Sequence, residues 1–254
     1  MTEASRFVLD NLQSRGWFAP EPGFFGDNDA AYAAQDAALG ELAGARGGIG
    51  GYKIAYNSAA QLAALGQSVP GAAYVCAGQI VKSGARLVAA DYDNLMIEPE
   101  IGAVLGQDLV PDKTYMAADM AALVVRWVPV FELLDRRNSD GHFHVPSVLA
   151  HNIFNEGAVV GGPGLATLPD LAELQSVVFD NGSRLHDAAG SAPQDPAEAA
   201  AFLANHFSRR GQIMKAGAVL LCGTHMPIYK PETGHELRFE LGALGAVSFS
   251  FASA

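Results

Sequence analysis

Two glutamates one residue apart, Glu98 and Glu100, lie inside the otherwise apolar run Leu95-Met96-Ile97-Glu98-Pro99-Glu100-Ile101-Gly102-Ala103-Val104-Leu105. In a strand alternate side chains share a face, which sets the two Cα atoms ~6.6 Å apart and sends both carboxylates the same way. Like charges on a half-buried face repel, so the strand calls for a cation between them or a proton on one of them. A third acid has similar surroundings: Glu132 stands near the end of Leu123-Val124-Val125-Arg126-Trp127-Val128-Pro129-Val130-Phe131-Glu132-Leu133-Leu134. Three such carboxylates form a hard, all-oxygen donor set that suits Mg²⁺ or Mn²⁺ better than Zn²⁺. The same spacing admits a purely structural reading. In that reading Glu98 and Glu100 sit on a solvated edge strand, which tolerates Pro99, and Glu132 pairs with Arg126 or Arg137.

Lys53 lies between Tyr52 and Ile54 in a short apolar run behind Gly44, Gly47, Gly48, Gly50 and Gly51. These glycines do not form a phosphate loop, because no Gly-Lys-Ser/Thr ending and no G-x-G-x-x-G opening is present; they let the backbone turn tightly beside the lysine. Lysines are usually exposed, and burial near the acids would give this one a chemical role. His142-Phe143-His144 follows Ser139-Asp140-Gly141 and reads as an exposed turn rather than a zinc site. Cys222 continues the apolar run Val219-Leu220-Leu221 and reads as a buried structural thiol rather than a nucleophile with His225 as base. No G-x-S-x-G elbow is present.

The elements that must carry these residues begin with helices. Thr2 caps a pattern through Phe7, Val8 and Leu12 that Gly16 closes, Asp29 opens an alanine-rich helix, and Ser58 and Gly66 bracket a short one. From about Ala73 the texture turns to strands, at 86–91, 95–105 and 123–134. Asp180-Asn181-Gly182-Ser183 marks a hairpin between Ser176–Phe179 and Arg184–His186. Asp195-Pro196-Ala197-Glu198 starts another helix, and strands at 218–222, 237–241 and 246–251 end the chain. Half of the 254 residues are hydrophobic, enough for one large core, so a single domain is expected over 1–254: a mainly helical region at 1–70 and a β-rich core at 71–254. A net charge of -11 argues against nucleic-acid and anionic-membrane partners, and an anionic substrate then needs a metal or a specific cation to hold it. The first residues lack a signal-peptide layout and no apolar run reaches spanning length, so a cytoplasmic protein without a membrane segment is expected. Cys76 and Cys222 are expected to be free thiols.

With these pieces placed, the chain resembles the 2-keto-4-pentenoate hydratase and 4-oxalocrotonate decarboxylase group of the fumarylacetoacetate hydrolase superfamily. Gly51-Tyr52-Lys53-Ile54 is similar to the family's G-Y-K-I-G-L-T-S, with Ser58 at the final serine; Glu98-Pro99-Glu100-Ile101 and Val104-Leu105-Gly106 resemble E-x-E-(I/V)-A-F-V-L-G. Glu132-Leu133-Leu134-Asp135 with Arg137 is similar to E-I-x-D-S-R, and Asn152 falls at the family's D-N. Phe202-Leu203-Ala204-Asn205, Gly217 to Gly223 and Leu244 to Phe249 resemble its later segments, in order, over most of the chain.

The resemblance implies an α+β fold, a mixed β-roll or sandwich with helices packed outside and a helical N-terminal region, assembled as a homo-oligomer. It implies Glu98, Glu100 and Glu132 as ligands of Mg²⁺ or Mn²⁺ and Lys53 as the catalytic lysine. It puts Tyr56, Ser58, Arg137, His151 and Asn152 at the substrate. The activity implied is a metal-dependent hydro-lyase or carboxy-lyase working through an enolate of a small 2-oxo or 2-hydroxydienoic acid in aromatic-compound catabolism. The alternatives are a C–C hydrolase of the same superfamily acting on an acylpyruvate-like acid, or a non-catalytic binding homologue. Four departures bear on the choice. Ala55-Tyr56-Asn57 replaces G-L-T, His151 replaces an aspartate, Arg136 replaces a small residue, and Val75-Cys76-Ala77-Gly78 lacks the family's acidic pair, one acid of which the resemblance implies to assist proton transfer or water activation. Tyr56 and His151 are accordingly expected to set the substrate.

Overall fold

The computed structural model describes residues 1–111, 113–139 and 143–253. Six α-helices are present among them: α1 Glu3–Ser14, α2 Asn28–Ala45, α3 Ala59–Leu65, α4 Ala117–Leu123, α5 Val145–Ala150 and α6 Pro196–Ser208. The strands are β1 Ile49–Ala55, β2 Gly71–Cys76, β3 Ile80–Lys82, β4 Ala85–Val88, β5 Leu95–Leu105, β6 Val124–Asp135 and β7 Asn155–Val160. They continue as β8 Gly162–Pro163, β9 Gln175–Asp180, β10 Ser183–Ala189, β11 Val219–Thr224, β12 Glu236–Leu241 and β13 Gly245–Ala252.

Both sheets are mixed. The larger runs β2-β1-β11-β5-β6-β7-β3, with β1 parallel to β11 and β3 parallel to β7. The smaller runs β10-β9-β12-β13-β4, with β8 also on β13 and β4 parallel to β13. They pack through aromatic contacts, Phe131 lying 5.9 Å from Phe239 and 5.3 Å from Phe249 between ring centroids.

Local signals fix several ends. Thr2 accepts the Ser5 N–H to open α1, which ends in left-handed Arg15, one residue before the glycine expected to close it. Asp27, not Asp29, caps α2. Ser58 and Gln61 form a capping box on α3, and left-handed Gly66 ends it. Leu123 belongs to α4, so β6 begins one residue later than its apolar run suggests. The region 1–70 is mostly helical, yet β1 lies within it and pairs between β2 and β11, so the helical start and the β-rich part share one sheet.

The larger sheet curls. Val75 of β2 and Ala158 of β7, near its two flanks, join Val128, Val130, Val219 and Leu221 in one small apolar cluster. Alternation continues this inner face along each strand, from Val128 and Val130 to Glu132 on β6 and from Val104 and Gly102 to Glu100 and Glu98 on β5. Gly102 is required there, since a Cβ on it would fall 2.4 Å from Val130 Cγ2. The inner layer is therefore hydrocarbon over most of its length and turns to carboxylates at one end.

Candidate active site

β5 and β6 pair antiparallel along their whole length, which puts Glu98 directly opposite Glu132 and Glu100 opposite Val130. β5 is an interior strand between β11 and β6, so the edge-strand reading of its two acids does not hold. Pro99 costs little there: the β11 ladder shifts register between Leu221 and Thr224, and the Pro99 carbonyl accepts from the His225 N–H at 2.8 Å. One oxygen from each of Glu98, Glu100 and Glu132 lies within 4.8 Å of the others; Glu100 and Glu132 are buried and Glu98 is half-buried.

β1 brings Lys53 in from the other side of β11. The side chain is fully buried, and Nζ lies 2.9 Å from Glu132 Oε1. Glu132 therefore pairs with Lys53 and not with Arg126 or Arg137. The same Oε1 accepts from Asn155 Nδ2 at 2.9 Å, which leaves Oε2 buried without a hydrogen-bond partner among the described residues. Glu100 Oε2 accepts the Gly223 N–H at 2.7 Å. Gly223 has φ +106°, and a Cβ there would run into Asn57. Burial first, and then the charge of Glu132, pushes the Glu98 carboxyl up to about 7. Burial, followed by the charges of Glu132 and Glu98, pushes Glu100 well above the usual carboxylate range. One ammonium does not offset three crowded carboxyls. A bare oxygen, convergent acids and an all-oxygen donor set fit a hard divalent cation.

A cavity of about 380 Å³ opens on this cluster, within the range of small-molecule sites. Lys53, Tyr56, Asn57, Gln61, Glu98, Glu100, Arg136 and Thr224 supply its polar lining, and Leu134, Phe143, Ile153, Phe154, Pro227 and Ile228 much of its apolar wall. Tyr56 holds a left-handed φ of 58° and meets the exposed Phe143 edge-on at 6.0 Å, and burial pushes its hydroxyl well above the ordinary tyrosine range.

The other expected substrate contacts separate from the cavity. Ser58 is spent as the cap of α3, one turn before Gln61, which does line it. Arg137 turns away and donates to Asn11 Oδ1 at 2.6 Å and Gly16 O at 2.7 Å, tying down the end of α1. His151 is buried among Phe7, Phe18 and Phe25, with Nδ1 2.8 Å from Ser147 O, so it belongs to the packing of α1, the segment that follows it and α5. Asn152 brackets β2: its Oδ1 accepts Tyr74 N–H and its Nδ2 donates to Tyr74 O, both at 2.8 Å. Asn152, Ile153 and Phe154 all have positive φ, 56°, 48° and 58°, and this strained turn presents Ile153 and Phe154 to the cavity. His142 lies outside the described residues, and His144 meets Ser147 Oγ at 2.8 Å. Burial and then the Glu100 charge push the Cys222 thiol well above its ordinary value, which fits a structural thiol. Asn155, Gly223 and the turn at 152–154 gave no local signal, whereas Arg136 stood out only as a departure from a pattern.

No protein-family model matches the chain. It is 28% identical to a 4-oxalocrotonate decarboxylase from Pseudomonas sp over 201 residues, 79% of this chain and 77% of the relative. It is also 28% identical to 2-keto-4-pentenoate hydratase 1 from Dechloromonas aromatica (strain RCB), over 89% of this chain and 86% of the relative. Among solved structures, 4-oxalocrotonate decarboxylase from Pseudomonas putida G7, complexed with magnesium and adipate, superposes with a TM-score of 0.86. That match has 25% identity and covers 98% of this chain and 95% of the other.

Proposed function

We propose, because the chain is a homologue of the 4-oxalocrotonate decarboxylases and 2-keto-4-pentenoate hydratases of the fumarylacetoacetate hydrolase superfamily, that it is a divalent-metal-dependent lyase. Its substrate is a small 2-oxo or 2-hydroxydienoic acid. The observation that carries this reading is the meeting of Glu98, Glu100, Glu132 and Lys53 at the end of one cavity. The three glutamates would hold Mg²⁺ or Mn²⁺, which when bound supplies Lewis-acid stabilisation to an enolate. The curled sheet, with a second sheet packed on it and helices outside, is read as the superfamily's β-roll. A cytoplasmic homo-oligomer belongs to the same reading, and light scattering tests the assembly.

The protein's own groups divide the remaining work. Asn155 and Lys53 fix one oxygen of Glu132, and the Gly223 N–H fixes one of Glu100, so the carboxylates are aimed before any ligand arrives. Leu134, Ile153, Phe154 and Ile228 keep water from the acid's carbon chain. Lys53 Nζ, poised beside Glu132, moves the proton at the substrate carbon. Addition of water to a dienoate needs a base for the water as well as this donor. Among the described lining residues other than Glu98 and Glu100, Lys53 and Tyr56 are the candidates for a general acid or base, and burial holds the Tyr56 hydroxyl protonated. Val75 and Cys76 are buried in the β2 wall and bring no acid in place of the missing pair. One proton relay suits loss of CO₂ from a vinylogous 2-oxo acid, in which the C–C electron pair passes into the 2-oxo system and a proton returns to carbon. Assays of an unsaturated 2-oxo diacid and of 2-hydroxypentadienoate, with Mg²⁺ and with chelator, test this. Metal-dependent CO₂ release supports it; turnover unchanged by chelator contradicts it.

A further inference from the structure

β11 accompanies β5 only as far as the acids. Its ladder reaches Thr224 opposite Glu100 and ends there, and the residues that follow take its place. The His225 N–H donates to Pro99 O at 2.8 Å, the Ile97 N–H to Tyr229 O at 2.8 Å and the Tyr229 N–H to Ile97 O at 3.1 Å. Glu98, between Ile97 and Pro99, is therefore flanked by β6 on one side and by the irregular segment 225–229 on the other. Pro227 and Ile228 of that segment wall the cavity together with Thr224, whose Oγ1 donates to Met226 O at 2.7 Å and tightens the turn.

A wall without a ladder of its own opens locally unless side chains tie it down. The smaller sheet supplies the ties. Asp180, the last residue of β9, is buried and lies outside the cavity lining. Its Oδ2 accepts the Tyr229 hydroxyl at 2.6 Å, and its Oδ1 lies 2.7 Å from Nδ1 of His235, the residue before β12. One carboxylate thus grips the middle and the end of the connection from β11 to β12, while His225 Nδ1, 3.1 Å from Ser191 Oγ, holds its start. The Asn181 N–H, donating to Glu236 O at 2.8 Å, fixes the strand end that carries the carboxylate. The bond to Asp180 pushes the Tyr229 hydroxyl up to about 12, so it remains a donor through the neutral range. We propose that Asp180 is a positioning residue of the active site, acting through Tyr229 to hold the Thr224, Pro227 and Ile228 wall beside Glu98 although it belongs to the other sheet. The assignment rests on the lyase reading above and adds to it the residue that orders this wall.

Hydrogen exchange followed by mass spectrometry, with titration calorimetry of Mg²⁺ and then of 2-oxopentanoate, tests the assignment. Tyr229→Phe removes one hydroxyl and keeps the ring. Peptides covering 225–235 should exchange about ten- to a hundredfold faster in this variant, the worth of one hydrogen bond to a charged group, with β6 and β11 unchanged. The Kd for 2-oxopentanoate should rise several-fold, because only the ordered wall encloses the acid. The Kd for Mg²⁺ should stay at the parental value, since Lys53, Asn155 and the Gly223 N–H aim the carboxylates independently. Asp180→Ala should reproduce both changes, and Asp180→Asn, which keeps an acceptor oxygen for Tyr229, should restore most of the protection and affinity. Parental exchange and affinity in Tyr229→Phe, faster exchange with an unchanged Kd for the acid, or faster exchange spread over both sheets overturns the assignment alone. A parent that does not bind 2-oxopentanoate in the presence of Mg²⁺ overturns the lyase reading and the assignment with it.

Discussion

Lys53 and Glu132 form an ion pair with almost no exposed surface, held 2.9 Å apart at the junction of an apolar strand layer and three carboxylates. A buried pair of this kind adds little net stability, but removing one partner leaves the other charge stranded, at a cost of ~3–5 kcal/mol. Lys53→Met should therefore lower the stability of the metal-free protein by about that amount, as read by urea unfolding. Saturating Mg²⁺ should restore much of the loss, because the cation takes over the carboxylate. If the lysine moves the proton, kcat falls by ~10² to 10⁴ while Mg²⁺ affinity persists; a near-parental kcat would reduce Lys53 to a structural partner. At this scale the sequence was informative about the acids and the lysine, since charges inside apolar runs are anomalies visible without coordinates. It was misleading for Arg137 and His151. Whether an arginine at a strand end faces the cavity or the helix behind it depends on one step of alternation, and here Arg136 takes the inner face. Nothing local distinguishes a histidine in a phenylalanine cage from one that meets substrate.

The elements add constraints of their own. α1, the segment joining it to α2, and α5 close over His151, whose imidazole is fully buried and held neutral, its pKa lowered by burial to about 4 from an ordinary 6.5. The unfolded chain then binds the proton more readily than the folded one, so stability is complete above pH ~6.5 and falls as the pH drops toward 4. The shift corresponds to about 3 kcal/mol across that window. His151→Phe, which suits the surrounding rings, should unfold with a shallower dependence between pH 6.5 and 4. Parallel curves of stability against pH for the two proteins would show that the imidazole is not the group responsible. Next to it, the left-handed residues 152–154 depend on the Asn152 bracket over Tyr74. Asn152→Ala should cost ~2–3 kcal/mol, since two buried backbone groups lose their partner. Caps and hairpins such as Ser58, Asp195 and Asn181-Gly182 were legible because their chemistry is local. The strained turn was not, because a β-branched residue at positive φ runs against every local preference and is held by tertiary contacts.

In the whole molecule the site is a product of topology. Lys53 comes from a strand within the first seventy residues that lies between β2 and β11, Glu98 and Glu100 from β5, and Glu132 from β6, so one sheet must form before any of them meet. A single cooperative unfolding transition is expected on that account, and separate melting of the first seventy residues would contradict it. Strand content was readable from the apolar runs, whereas the sheet order, with β1 parallel to β11 across more than 150 intervening residues, was not. Long-range pairing leaves no periodic trace in one sequence, and only the family resemblance anticipated the architecture. The most direct test of the account is Mn²⁺ binding by calorimetry and thermal melting, in the parent and in Glu132→Ala. One ion per chain is predicted for the parent, with stability raised by ~2.7 kcal/mol at about 100 times the Kd, and neither response is predicted in the variant. An undiminished binding isotherm and melting shift in Glu132→Ala would contradict the metal centre.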